Sequence, residues 1–228
     1  MKKLRYSVAV SFIAGALLSA AIFFALGMPR QNVSVGLAPS ATRHLIPMKI
    51  YQQETEYSCG GATLKTLLNY YGLLHGRTES DISRSLGTGF GPPHPGTHPD
   101  RMAKFLKEED FRVESGENGS LELINHYVNQ NIPVIVLDNT WGGHWRMIIG
   151  YDYHGDKESW EDNDVFFADP EYRSAEPNVY RNIGITMENE SRFDYEWYEN
   201  RLFERQREKY YIVAYPPDRN VAAFGVSK

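Results

Sequence analysis

The sequence predicts an α+β domain, a helical lobe against an antiparallel sheet, preceded by a single membrane-spanning helix. Three observations predict it. Beyond residue 50 come capped segments with apolar residues at helical period. From residue 132 onward come short apolar and aromatic runs separated by turn residues. The first 28 residues hold a long uncharged apolar run.

Residues 1–5, MKKLR, are basic, and residues 6–28, YSVAVSFIAGALLSAAIFFALGM, carry no charge. A helix rises ~1.5 Å per residue, so about 20 apolar residues cross a bilayer core. The run is long enough to be an uncleaved signal anchor. Small-x-small triplets at Ser19-Ala20-Ala21 and Ala25-Leu26-Gly27 give a cleaved signal peptide as the alternative. Lys2, Lys3 and Arg5 stay cytoplasmic by the positive-inside rule, so the rest of the chain is expected on the extracytoplasmic side, periplasmic or at the cell surface. A cleaved segment would leave it secreted or periplasmic. Residues 29–46 read as a flexible tether, 47–217 as the folded domain and 218–228 as a tail.

Within the domain, Leu64, Leu67, Leu68 and Tyr71 fall on one face of a helix from Cys59 to Tyr71, with Gly72 as its C-cap. Thr78, with Asp81 three residues on, opens a second helix that buries Ile82 and Leu86 and stops at Gly87. GTGFGPPHPGTHP, residues 87–99, is a loop, and Asp100–Lys107 a short helix around Met102, Phe105 and Leu106. A strand is expected at 111–114. Ser120 caps a helix with Leu121, Ile124 and Val128 inward. Strands follow at 132–138, 144–153, 164–170 and 209–216, with a helix from Ser191 carrying Phe193, Trp197 and Leu202.

Composition narrows the function. A net charge of -5 and a pI near 5.8 leave no general basic face for phosphates, so no nucleic acid is expected as a partner. The single cysteine excludes an intramolecular disulfide and a zinc site built on several thiolates. His94 and His98 stand four apart, but a proline-rich loop cannot present them as a helix would; no metal and no cofactor is expected.

That one thiol, Cys59, begins a helix. There the unpaired backbone N–H groups and the positive dipole end favour thiolate, the nucleophilic form. Gly60 and Gly61 would let a substrate backbone come close. His144, in TWGGHWRMIIGYD, sits where a glycine turn enters a strand and can take and return the thiol proton. Asp169, in FFADP, ends the next strand and can orient the imidazole. Asp152 is its rival, on the histidine's own strand and well away along it. A glutamine amide ahead of Cys59, Gln53 or Gln52, could join the Cys59 backbone N–H in stabilising an oxyanion. The order Gln, Cys, His, Asp is the papain-like one.

QETEYSCGGATLKTLLNYYG, IPVIVLDNTWGGHWRMIIGYD and ADP together resemble the bacteriocin-processing cysteine peptidases of family C-thirty-nine, and more closely their stand-alone C-thirty-nine-like relatives, over roughly residues 48–216. The resemblance implies a papain-like fold with Cys59 as nucleophile, His144 as base, Asp169 as orienting acid and Gln53 as oxyanion donor. The better-known members cut leader peptides after a double glycine as part of an ATP-driven exporter; this chain has no P-loop motif. The reading is a membrane-anchored, outward-facing cysteine peptidase acting on a peptide or protein substrate. The alternatives are a thiol acyltransferase or amidase on the same residues, and a non-catalytic peptide-binding module.

Overall fold

The computed structural model describes residues 43–89, 96–154, 163–171, 184–201 and 203–225. The expected membrane segment, nearly all of the tether, His94 and Leu202 lie outside the described residues. Among the described residues, no helix is long and apolar enough to cross a membrane.

Five helices are described: α1 (Cys59–Tyr70), α2 (Glu79–Leu86), α3 (Pro99–Glu108), α4 (Leu121–Val128) and α5 (Glu190–Glu196). The strands are β1 (Arg43–Leu45), β2 (Arg112–Gly116), β3 (Val134–Asp138), β4 (His144–Tyr153), β5 (Asn163–Ala168), β6 (Ile185–Asn189), β7 (Tyr198–Glu199), β8 (Arg207–Glu208) and β9 (Tyr210–Tyr215). The main sheet is antiparallel in the order β2-β9-β3-β4-β5-β6, and β1 adds to β4 beyond the end of β3. Four of the five helices precede the central strands β3–β5.

The local rules that predicted the helices act in the structure. Thr78 and Asp81 form a reciprocal capping box at α2, and Gly87 closes that helix in the left-handed conformation at φ +61°. Ser120 caps α4 by accepting the Leu123 N–H at 3.2 Å. Asn189, not Ser191, caps α5, which ends before Trp197. β6 went unread because ITMEN holds one buried apolar residue, Ile185, and so little alternation.

Arg43–Leu45, assigned to the tether from sequence, are strand β1. Arg43 pairs with Asp152, through Nε at 2.8 Å, and the β1 backbone passes directly over Gly150. A Cβ at Gly150 would lie 2.3 Å from the His44 carbonyl oxygen and 3.0 Å from Leu45 Cα. Residues 218–225, read as a tail, fold back on α4: the Ala222 N–H donates to Gln130 Oε1 at 2.8 Å, and Arg219 donates to the Asn131 carbonyl at 3.1 Å.

The core runs without a break from the apolar face of α1 (Leu64, Leu67, Leu68) to β3 and β4, whose residues are buried almost throughout. This joins the helical lobe to the sheet at the end where β4 begins. Gly150→Ala should force the β1 backbone off the sheet. We expect a loss of about 1–3 kcal/mol, of the size seen for overpacked cores, read as a lower denaturant midpoint at unchanged slope.

Candidate active site

The site lies where α1 begins, β4 begins and β5 ends. Cys59, the first residue of α1, is 8% exposed. Ser58 holds the N-cap position but caps nothing. Its oxygen accepts the Thr55 N–H at 3.1 Å and the Thr55 hydroxyl at 2.8 Å. The first turn of α1 therefore starts without a side-chain cap, and its backbone N–H groups and dipole act on whatever sits beside the thiol.

The loop before Cys59 is held from two sides. Glu79, almost fully buried, accepts the Glu54 N–H at 2.7 Å. Burial raises its pKa, against the opposing pull of hydrogen bonds from Ser58 and the Glu54 backbone. On the other side the Gln53 N–H donates to the Pro170 carbonyl at 2.9 Å, and Gln52 Nε2 donates to the Asp169 carbonyl at 3.2 Å. The two glutamines thus separate: Gln52 buttresses the acid's backbone. The buried Gln53 amide donates to the Thr55 carbonyl at 2.8 Å, which orients the group.

Gly60 and Gly61 serve packing rather than substrate approach. A Cβ at Gly60 would stand 2.6 Å from Thr97 Oγ1, and one at Gly61 2.0 Å from Ser83 Oγ on α2. Both glycines are buried, and they let α1 lie close against the neighbouring segments.

His144 is 2% exposed, and its Nε2 lies 2.9 Å from Asp169 Oδ1. Cys59 also acts on the ring, by hydrogen bond and charge. Burial disfavours the imidazolium, but the hydrogen bonds and charges of Asp169 and Cys59 outweigh it and push the pKa up to about 10. Asp169 has its own support: Oδ1 also accepts the Glu171 N–H at 3.0 Å, and Oδ2 accepts the Thr186 hydroxyl at 3.3 Å. Burial alone would raise its carboxyl. The His144 hydrogen bond and charge, with Arg146 and the Glu171 N–H, hold it below the ordinary range.

The rival Asp152 is spent on Arg43. It lies eight positions along β4 from His144, roughly 26 Å at ~3.3 Å per residue. His98 caps α3, accepting the Asp100 N–H at Nδ1 at 3.2 Å, with its ring edge-on to Phe203. No group of three or more His, Cys, Asp or Glu among the described residues could hold a metal ion.

Sequence reasoning missed Arg146. It stands two residues after His144, on the same strand face, and is 3% exposed. Its Nε donates to Asp138 at 2.6 Å, Nη1 donates to Glu188 at 2.8 Å, and the guanidinium lies 3.9 Å from the Phe167 ring centroid. Pairing of Met147 with Ala168 brings Asp169 alongside it, so one cation sits among three carboxylates behind the imidazole. The signal was present: a single charge inside the apolar run HWRMIIGY is a buried charge that needs partners.

No curated protein matches the chain in sequence. Among solved structures, the peptidase domain of Streptococcus ComA, a bi-functional ABC transporter involved in quorum sensing, is similar at 18% identity and a TM-score of 0.51, covering 74% of this chain and 98% of that one. A C39-like protein from Bacillus anthracis is similar at 14% identity and a TM-score of 0.52, covering 78% of this chain and 99% of that one. These likenesses bear on the fold. The model of the Peptidase_C39 like family matches residues 45–201, a span that contains Gln53, Cys59, His144 and Asp169. With well over half its length matched, the chain belongs to the Peptidase_C39 like family and carries a C39-type peptidase domain.

Proposed function

We propose that the protein is a cysteine peptidase, with Cys59 as nucleophile, His144 as general base and acid, Asp169 as the residue that orients the imidazole, and Gln53 as oxyanion donor. The observation that carries the reading is the buried His144–Asp169 hydrogen bond at 2.9 Å, with Cys59 acting on the same ring. Structural ion pairs of this kind also occur; here a thiol at an uncapped helix start is the third member.

The steps follow from the geometry. His144 takes the Cys59 proton, and the thiolate attacks the scissile carbonyl carbon. The oxyanion that forms accepts from the Cys59 backbone N–H and from the Gln53 amide. The imidazolium, favoured in this pocket, gives its proton to the leaving amine as the C–N bond breaks. Water, deprotonated by the same imidazole, then attacks the thioester and releases the acid product and the thiol. Asp169 keeps Nε2 engaged throughout, so Nδ1 remains the nitrogen that moves protons.

We further infer that residues 1–28 anchor the domain and that it works on the extracytoplasmic side, because the uncharged run is long enough to span and its basic flank precedes it. The substrate is then an extracytoplasmic peptide or protein segment.

Three outcomes are expected. Cys59→Ala should abolish cleavage of a peptide library scored by mass spectrometry, and Gln53→Ala should lower kcat by roughly 10²–10³-fold, the cost of one oxyanion donor. Product formation by Cys59→Ala would sink the peptidase reading. The second outcome concerns pH. His144 is the acid for the leaving group and its pKa is raised, so the wild-type alkaline limb should fall near pH 10. Asp169→Asn removes a group that raises that pKa while burial still lowers it, so the limb should move to lower pH. An unmoved limb would remove Asp169 from the mechanism. For the third, an alkaline phosphatase moiety fused after residue 228 should be active in intact cells; activity found only on lysis would place the domain inside.

A further inference from the structure

The residue after the base and the residue after the nucleophile rest on the same threonine. Trp145 follows His144 on β4, so its side chain leaves the opposite face of the strand. It is 1% exposed, yet it is more than core filling: Nε1 donates to the Thr97 carbonyl at 2.9 Å. The Trp145 carbonyl accepts from the Thr63 hydroxyl at 3.2 Å, and Thr63 stands one helical turn after Cys59 on α1. Thr97, wholly buried, shares a hydroxyl hydrogen bond of 2.6 Å with Thr88, and its side chain fills the space beside Gly60.

We propose that Trp145 is a positioning residue. Braced by Thr97 and Thr63, it fixes where β4 starts relative to α1, and so sets the distance between the Cys59 thiol and the His144 imidazole. The proposal rests on Cys59 and His144 being the working pair. The physical need is clear. The two groups come from different lobes, far apart in sequence, and apolar packing is non-directional. Two hydrogen bonds with defined directions, one on the indole and one on the same residue's carbonyl, restrict both sliding and rotation of β4 against α1. The strand alternation then carries that placement to His144, one residue earlier.

The test uses the full chain, in which Cys59 is the only thiol. The rate of alkylation by iodoacetamide is measured against pH for the wild type, His144→Ala, Trp145→Phe, Thr63→Val, Thr63→Ser and Trp197→Phe. Trp197 is the control: it is equally buried and also donates Nε1 to a carbonyl, that of Tyr210 at 3.0 Å, with no contact to α1 or His144 among its hydrogen bonds. Thiolate alone reacts, so the rate at a fixed acidic pH falls roughly tenfold for each unit by which the thiol's apparent pKa rises. At acidic pH wild type should react faster than His144→Ala. Trp145→Phe should shift the profile toward His144→Ala. Thr63→Val should shift it less, Thr63→Ser should restore it, and Trp197→Phe should leave it in place even if Tm drops. A wild-type profile in Trp145→Phe and Thr63→Val, or an equal shift in Trp197→Phe, overturns the positioning role while leaving the catalytic pair intact. Identical profiles for wild type and His144→Ala would overturn the pair, and the positioning role with it.

Discussion

The His144–Asp169 pair is buried, and most of the local structure is what burial of that pair demands. Removing two ions from water costs several kcal/mol each, so a pair in this position persists only with good geometry and with its remaining polar atoms occupied. Asp169 meets this with three further restraints: the Glu171 N–H, the Thr186 hydroxyl and the charge of Arg146. Arg146 is in turn bound by Asp138 and Glu188 and stacked on Phe167. The cations of β4, His144 and Arg146, thus lie among the carboxylates of Asp138 on β3, Asp169 just beyond β5 and Glu188 on β6. Deleting Arg146 would take a shared cation from Asp138, Glu188 and Asp169 at once, so the network favours a single arrangement of these strands.

The sign of the linkage fits this picture. A histidine whose pKa is raised to about 10 stabilises the fold fully below its ordinary 6.5, and loses that contribution as pH climbs through 10. Asp169, held below its usual range, contributes above 3.8 and loses this as pH falls. Between those limits the native state and the step that protonates the leaving amine favour the same imidazolium, whereas the attack of water on the thioester calls for the neutral ring.

Much of this was legible in the sequence, for reasons that can be named. Helix starts with Thr78 and Ser120 are written in two or three neighbouring residues, so local reading finds them. Cys59, His144 and Asp169 were legible because each stands at the end of an element whose type was clear, and element ends are where the fold gathers groups from distant sequence. The choice between Asp169 and Asp152 was a question of distance along β4, which strand geometry answers. β1 and β6 were hidden because three and five residues with little alternation carry almost no period-two signal; only the partner strand makes them strands. The Arg146 network was hidden differently. Its partners come from three other strands, and nothing in the spacing of Asp138, Glu188 and Asp169 tells that they converge.

The glycines after Cys59 show how a correct motif can carry a wrong reason. Next to a nucleophile, small residues suggest room for substrate. Their missing side chains instead face Thr97 and Ser83, and the space they leave is filled by the protein itself. Close packing at that point has a consequence for the chemistry. A helix whose first turn is pressed against two neighbours cannot fray, although its N-cap serine leaves the first turn uncapped. The glycine pair thus lets α1 begin firmly without a side-chain cap.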